Sequence, residues 1–300
     1  MRIVEVATTL GENAIDLNER YNLPALIEKT GISTVYETDL STTKLAAKAA
    51  NQLKLLEKNL IQAMFLVTQS PDDFLPANAI SLANEILLPQ NLLTMDFNQG
   101  CSGFVQGLTI CEKLLLTYEN ILLVTADRYR SKCKSSDRST NAVFSDGAAA
   151  ILLSNEGNER IIYEDHFTAG MHRDLLFQST ESENDGKIHM AGADIWLFTK
   201  REVVPQIDKA IKFCEKNNHT IKGLYMHQAS KLVVDGIKQY LEINPDLIFE
   251  NYAANGNTVS STIPFLLKDF PADLQDGEVV IFAGFGVGLT SSVIVYGAVQ

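Results

Sequence analysis

The chain is expected to be an α/β protein with a largely parallel sheet, built as two successive halves of similar element order. Three observations predict this. Short apolar runs alternate with stretches of helical spacing along all 300 residues, and strands separated by helices imply βαβ units. A second series of the same elements begins near Ile161. No Pro-, Gly- and Ser-rich linker separates the halves, 1–160 and 161–300, so they are expected to share one core.

Met1-Arg-Ile-Val-Glu-Val6 reads as a first strand and not as a leader peptide. Ala63 to Thr68 is a strand, and Asn78 to Leu87 suits a helix. Leu92-Leu-Thr-Met-Asp-Phe97 is the next strand, followed by Asn98-Gln-Gly100 and then Cys101. Phe104, Val105, Leu108, Ile110, Leu114 and Leu115 then recur at helical spacing. Ile121 to Thr125 is a short apolar strand, and Ala142 to Leu153 reads as a glycine-interrupted strand. In the second half, Asp194 to Cys214 reads as one long helix that Pro205 is expected to kink. Gly223 to Met226 is a strand, Lys231 to Leu241 a helix, and Thr262 to Leu267 the start of another with Pro264 in its first turn. Glu278 to Ala283 and Ser291 to Tyr296 are closing strands.

Bulk properties narrow the function classes. Apolar residues make up 46% and charged residues 21%, an ordinary globular balance. The net charge of −12 argues against nucleic acid as the main partner. No apolar run reaches the roughly 18 residues of a membrane span. Four cysteines with no CxxC pair suggest neither a metal site nor a disulfide framework, and fit the cytoplasm.

The segment around Cys101 proposes a chemistry. It puts a thiol at a strand-to-helix turn, where a helix N-terminus carries about half a positive charge and free N–H groups. Both are expected to favour thiolate, the nucleophilic form. A thiol so placed can equally be a buried structural group, and two further segments weigh on the choice. In Tyr225-Met-His227-Gln-Ala-Ser230 a histidine ends an apolar strand just before a helix. In Asn255-Gly-Asn257-Thr-Val-Ser-Ser-Thr-Ile-Pro264 an Asn-Gly-Asn turn precedes another. The carboxyl ends of parallel strands gather on one edge of a sheet. Cys101, His227 and Asn257 are therefore expected to converge.

These segments carry a family resemblance. Cys101-Ser-Gly-Phe104, His227-Gln-Ala229, Gly256-Asn257-Thr258 and Gly284-Phe-Gly-Val-Gly-Leu-Thr290 occur in the order and spacing of the thiolase superfamily, and within it of β-ketoacyl-acyl carrier protein synthase III. Weaker matches are Lys29-Thr-Gly-Ile32, Asp137-Arg138 and Phe144-Ser-Asp-Gly-Ala148. The resemblance spans nearly the whole chain. It implies a five-layer αβαβα fold from two similar halves, and a homodimer. Cys101 would accept an acyl group from a thioester. His227 and Asn257 would bind the carbonyl of a malonyl-type thioester and stabilise the enolate left by decarboxylation. The backbone N–H groups of Cys101 and Val287 would form the oxyanion hole. Coenzyme A or acyl carrier protein thioesters would be substrates, with no tightly bound cofactor and no metal.

The chain departs from that pattern at several positions. Ala25 and Lys29 stand where family members that use coenzyme A often carry tryptophan and arginine, while Arg138 keeps the other half of that site. Ser230 replaces a frequent asparagine beside the pantetheine arm, and Trp196 matches a common aromatic near it. Leu75 matches a position, often phenylalanine, that reaches across the dimer to the acyl pocket. Lys209, Lys212 and Lys216 share a helical face, read first as solvated. Lys231, beside the histidine segment, is the better site for an acidic carrier protein. Cys111, Cys133 and Cys214 read as packing or surface residues, and His166, His172, His189 and His219 as surface groups. Two other functions remain open at this level: acyl transfer from Cys101 to oxygen or nitrogen with His227 as base, and a scaffold without activity.

Overall fold

The computed structural model describes residues 1–22, 24–179 and 186–298. The first half contributes strands β1 (Arg2–Leu10), β2 (Asn13–Asp16), β3 (Thr34–Glu37), β4 (Ala63–Val67), β5 (Leu93–Phe97), β6 (Asn120–Asp127) and β7 (Gly147–Ser154). Its helices are α1 (Leu17–Tyr21), α2 (Pro24–Thr30), α3 (Thr42–Ala50), α4 (Asn78–Glu85), α5 (Gly103–Leu114) and α6 (Arg138–Asn141). The second half adds β8 (Glu159–Thr168), β9 (Leu176–Gln178), β10 (Ile188–Met190), β11 (Thr220–Met226), β12 (Glu278–Gly286) and β13 (Thr290–Ala298). With them come α7 (Gly192–Phe198), α8 (Val204–Lys216), α9 (Lys231–Lys238), α10 (Tyr252–Asn255) and α11 (Thr262–Asp269).

Two sheets organise these elements, with strand orders β1-β7-β6-β4-β5 and β11-β12-β13-β8. The largely parallel arrangement expected from the sequence does not hold. β4 is parallel to β5 and β6, and β11 to β12. The β1–β7, β6–β7, β12–β13 and β8–β13 ladders are antiparallel. A parallel pair needs a crossover of about a dozen residues or more. The link from β12 to β13 is only Val287–Leu289, too short for anything but a hairpin.

The inner strands of both sheets are buried on both faces, which is why β4, β6 and β12 read as unbroken apolar runs. In β4, Ala63, Phe65 and Val67 enter the core between the sheets, while Met64 and Leu66 pack outward under α3 and α4. In β12, Val280 and Phe282 face the inter-sheet core, and Val279, Ile281 and Ala283 face the layer of α8. Helices α5 and α11 each pack against both sheets, and Phe104 of α5 meets Phe282 edge to face with centroids 6.1 Å apart. The layers are therefore α3/α4, first sheet, α5/α11, second sheet and α8, the five-layer αβαβα fold.

The halves repeat one plan. β1, β4, β6 and β7 correspond to β8, β11, β12 and β13, and α5 to α11. The counterpart of β5 shrinks to a single parallel bridge between Leu224 and Ile248. As a result, Cys101 before α5 and Asn257 before α11 occupy equivalent places.

Two expected elements differ. Ala142–Leu153 is not one strand: the ladder starts at Gly147, because the preceding backbone is tied elsewhere. Ser145 N–H donates to Asn257 O, and the Asp146 carboxylate accepts the N–H groups of Thr38 and Arg130. The 194–214 helix is α7 and α8 joined by a π turn, Thr199–Val203, in which Val204 N–H reaches back to Thr199 O. Pro205 has no N–H for the carbonyl four residues before it, so one turn widens there and the helix continues.

Candidate active site

Cys101 lies in a 3-10 turn, Gly100–Ser102, that leads from β5 into α5. The residue is 5% exposed and belongs to the same buried cluster as Tyr129, Phe144, Met226, Val259 and Phe285. The expectation of a helix terminus lowering its pKa is overturned. Burial, with the nearby Asp127 carboxylate, pushes the thiol up to about 12. The backbone N–H groups of Val287 and Cys101 pull the other way and are outweighed. Desolvation of a whole thiolate exceeds the pull of two partial charges, so Cys101 is a neutral thiol that needs a base to become a nucleophile.

The glycine-rich end of β12 passes directly over the sulfur. A Cβ on Gly286 would stand 3.0 Å from Cys101 Sγ, and one on Gly284 would stand 3.0 Å from Cys101 O. Only a residue without a side chain permits this approach. It aims the N–H of Val287 at Sγ beside the N–H of Cys101 itself.

His227 follows the last residue of β11, and its N–H donates to Ala283 O of the parallel neighbour β12. The side chain is buried, and its ring meets Phe285 edge-on at 5.5 Å. Burial holds its pKa down to about 3, so the ring is neutral. Nδ1 lies 2.7 Å from Thr262 Oγ1 at the start of α11.

Asn257 is fixed at both ends of its backbone, donating to Val143 O and accepting from Ser145 N–H. Its side-chain Oδ1 accepts the N–H of Val259 at 2.9 Å. That bond fixes which way the amide faces and leaves its two N–H bonds for a ligand. Gly256 before it has φ +65°, and a Cβ there would lie 2.3 Å from Ser145 Oγ, so the turn demands glycine. Val259 holds φ +56°, an outlier for a β-branched residue. The next residue secures it: Ser260 N–H and Oγ–H both reach the Asp127 carboxylate. Asp127 also accepts Gln69 N–H at 2.8 Å, and burial pushes it up to about 7. The turn bearing Cys101 packs against the Val259–Ser261 turn and against β12, which brings the three expected residues to one place.

The remaining expected residues lie around this centre. Ser230 is buried at the start of α9, and Lys231 next to it packs its stem where a Cβ of Gly31 would stand. That contact packs α9 against the end of α2, the helix that carries Lys29. Trp196 on α7 is half-buried, with its ring against Gly236 of α9. Arg138 begins the short α6 and is exposed. Leu75 is 87% exposed on the 71–76 loop. Lys209 pairs with Asp165 and Lys212 with Asp208, so two of the three lysines on that helical face have acidic partners. Cys111, Cys133 and Cys214 are buried packing residues with free thiols. Among the described residues, no group of three or more His, Cys, Asp or Glu is placed to hold a metal.

Sequence reasoning missed Thr262, Asp127, Gln69 and Tyr129. Asp127 left a trace: a carboxylate ending the apolar run Ile121–Ala126 has to be buried at the ligand-bearing edge of the sheet. Thr262, Gln69 and Tyr129 left none, since each acts through a partner distant in sequence.

Two mixed sheets around a central helix pair, with cysteine, histidine and asparagine at the element ends between them, define a thiolase-type enzyme. The family model described as 3-oxoacyl-[acyl-carrier-protein (ACP)] synthase III matches residues 95–170, and its C-terminal companion matches 212–297. The β-ketoacyl-[acyl-carrier-protein] synthase III of Lactococcus lactis subsp. cremoris is 28% identical over 318 residues, covering 96% of both chains. That of Streptococcus agalactiae is 30% identical over 282 residues, covering 87% of this chain and 86% of the relative. A crystal structure of a 3-oxoacyl-(acyl-carrier-protein) synthase III superposes with a TM-score of 0.89 at 26% identity, covering 98% of both chains. The chain belongs to the 3-oxoacyl-[acyl-carrier-protein] synthase III family, and its activity class is acyl transfer.

Proposed function

We infer that the chain catalyses decarboxylative Claisen condensation of an acyl thioester with a malonyl-type thioester, through an acyl group carried on Cys101. In the first half-reaction His227 Nε2 takes the thiol proton as Sγ attacks the donor carbonyl. The N–H groups of Cys101 and Val287 hold the oxyanion. The donor's C–S bond breaks, and its thiol leaves with that proton.

In the second half-reaction the C–C bond to the malonyl carboxylate breaks, and carbon dioxide departs. The electron pair passes onto the thioester oxygen, where N–H bonds of His227 and Asn257 receive it. The carbanion then attacks the acyl carbon, Cys101 leaves as thiolate, and a solvent proton restores the thiol. His227 serves both steps because burial keeps it neutral and Thr262 can set either tautomer.

One observation carries this reading. The Asn257 carbonyl is held by Val259 N–H, which fixes the facing of the amide and leaves its N–H bonds to serve as donors. An enolate needs a second donor, whereas acyl transfer to oxygen or nitrogen does not. The names of the relatives favour acyl carrier protein as one carrier. Lys29 and Lys231 on adjoining helices favour docking of an acidic partner beside the His227 segment. Coenzyme A is the other candidate acyl donor, and Arg138, Trp196 and Ser230 are proposed along the pantetheine path.

The edge strand β5 is unpaired on one side and exposes Leu93 and Met95, close in sequence to the exposed Phe74–Leu75 loop. An apolar open edge supports a homodimer, with Leu75 reaching towards the partner. The strands of the first sheet end at Ser154 and β8 begins at Glu159, which supports two halves divided a few residues before the proposed boundary between 1–160 and 161–300. Four free cysteines support the cytoplasm, and no helix among the described residues is long and apolar enough to cross a membrane.

The test is to incubate the protein with acyl and malonyl thioesters of both coenzyme A and acyl carrier protein. Mass on Cys101 and release of carbon dioxide are then followed. The expected result is acylation followed by decarboxylation. Acylation with no decarboxylation of any malonyl donor would replace condensation by acyl transfer.

A further inference from the structure

Val287, whose N–H faces Sγ, opens the short link from β12 to β13. It stands between Gly286 and Gly288, which have φ values of +155° and +135°. A glycine on each side leaves the link free to rotate unless something holds it. Thr290, the first residue of β13, holds it twice. Its backbone pairs with Gly286 in the β12–β13 ladder. Its hydroxyl donates to Val287 O at 2.8 Å.

The same hydroxyl oxygen lies 2.8 Å from Ser102 Oγ. Ser102 follows Cys101 in the 3-10 turn, and its Oγ also lies 3.1 Å from Gln99 O at the start of that turn. Gln106 Nε2 of α5 donates to Ser102 Oγ at 3.4 Å. Ser102 and Thr290 are both buried. Each hydroxyl has one proton. While Thr290 donates to Val287 O, the contact between the two oxygens is closed by the Ser102 proton. Two side chains, 188 positions apart, thus tie the turn that carries the Cys101 N–H to the link that carries the Val287 N–H.

Resting on the acyl-enzyme reading above, we propose that Ser102 and Thr290 are positioning residues for the oxyanion hole: their hydroxyl bridge fixes the spacing between the backbone N–H groups of Cys101 and Val287. The hole works only when both donors stand at hydrogen-bond distance from the developing oxyanion. A misplacement of about 1 Å can cost about a hundredfold in rate. Decarboxylation does not use this hole, because its charge passes to His227 and Asn257.

The experiment follows three reactions of Cys101 and its acylated form. Acylation by acetyl thioesters of coenzyme A and acyl carrier protein is timed by intact-protein mass spectrometry. Carbon dioxide release from malonyl thioesters is measured on enzyme first acylated to completion. Alkylation by iodoacetamide forms no oxyanion and reports the thiol alone. Wild type is compared with Thr290→Val, Thr290→Ser, Ser102→Ala and the Ser102→Ala/Thr290→Val double variant. Thr290→Val is expected to acylate about ten- to a hundredfold more slowly, with far smaller changes in the other two reactions. Thr290→Ser is expected to recover most of the loss. Ser102→Ala is expected to slow acylation by a smaller factor, and the double variant to be no slower than Thr290→Val, because the two hydroxyls act as one unit. An unchanged acylation rate in either single variant overturns the proposal, and so do additive losses in the double variant. A loss shared equally by all three reactions also overturns it, since a general disturbance of the fold would do that. Where Thr290→Val does not fold, Ser102→Ala decides by the same three rates. No mass on Cys101 of the wild type from any thioester overturns the acyl-enzyme reading and the proposal with it.

Discussion

His227 Nδ1 and Thr262 Oγ1 stand 2.7 Å apart, and this contact governs which proton the imidazole offers to a substrate. The threonine hydroxyl has two acceptors in reach, Val259 O at 3.2 Å and Nδ1 itself. When it donates to Val259 O, Nδ1 carries the proton and Nε2 is a base. When it donates to Nδ1, Nε2–H is a donor. Acylation of a neutral thiol needs the first state and enolate stabilisation the second. Thr262→Val keeps the shape and removes the hydroxyl. We expect both acylation and decarboxylation to fall by about tenfold to a hundredfold, part of the usual worth of a positioned acid or base. Thr262→Ser is expected to recover most of each, with rapid-quench measurement of the two steps as the check.

Asn257→Ala removes a donor that serves only the second half-reaction. Carbon dioxide release by acylated enzyme should drop by about a hundred- to a thousandfold, the equivalent of about 2.7–4 kcal/mol. Acylation of Cys101 should change far less. Equal losses in both steps would show that Asn257 acts on the fold of the 255–261 turn and not on the enolate.

The buried thiol makes a pH prediction. With Cys101 pushed up to about 12, alkylation by iodoacetamide should keep rising with pH beyond 9 and show no plateau near neutrality. Stability follows the same linkage. The folded pKa lies above the usual 9, so this contribution is present below pH 9 and is lost as pH rises towards 12. Cys101→Ala should therefore flatten the alkaline loss of stability in urea titrations. His227 works at the opposite end. Its folded pKa of about 3 lies below the usual 6.5, so its contribution is present above pH 6.5 and is lost as pH falls towards 3.

Asp127→Asn should reveal the carboxylate's effect on the thiol. The charge raises the Cys101 pKa, so its removal should shift the alkylation profile to lower pH. Asp127 itself is raised from 3.8 to about 7, so its contribution to stability is present below pH 3.8 and is lost as pH climbs through 7. The variant should flatten that part of the stability curve. An alkylation profile identical to wild type would mean that Asp127 acts only by holding Ser260 and Gln69.

Much of the site was legible because its signals are local. An apolar strand, a tight turn and a helical repeat placed Cys101, and the same grammar placed His227 and Asn257. Gly286 was read within a motif, and its close approach to Sγ agrees with that reading. The parallel-sheet expectation failed because alternation of strands and helices sets which elements neighbour each other in sequence. It does not set the direction in which the next strand returns, and the short Val287–Leu289 link decided that for β13.

By itself, then, the sequence determined the five-layer α/β class, the two-part plan, and the residues that meet at the strand ends. The α/β class, the two-part plan and the turns follow from periodicities and turn chemistry within a few dozen residues, and the five layers from the family resemblance. Only the tertiary structure decided the electrostatics and the fit. Burial beside Asp127 turned the expected thiolate into a neutral thiol, and Thr262 came to rest on an imidazole 35 positions away. Gln69 met Tyr129 across 60 positions in a hydrogen bond. Desolvation and hydrogen bonding depend on what surrounds a group in space, and no spacing along the chain encodes that directly.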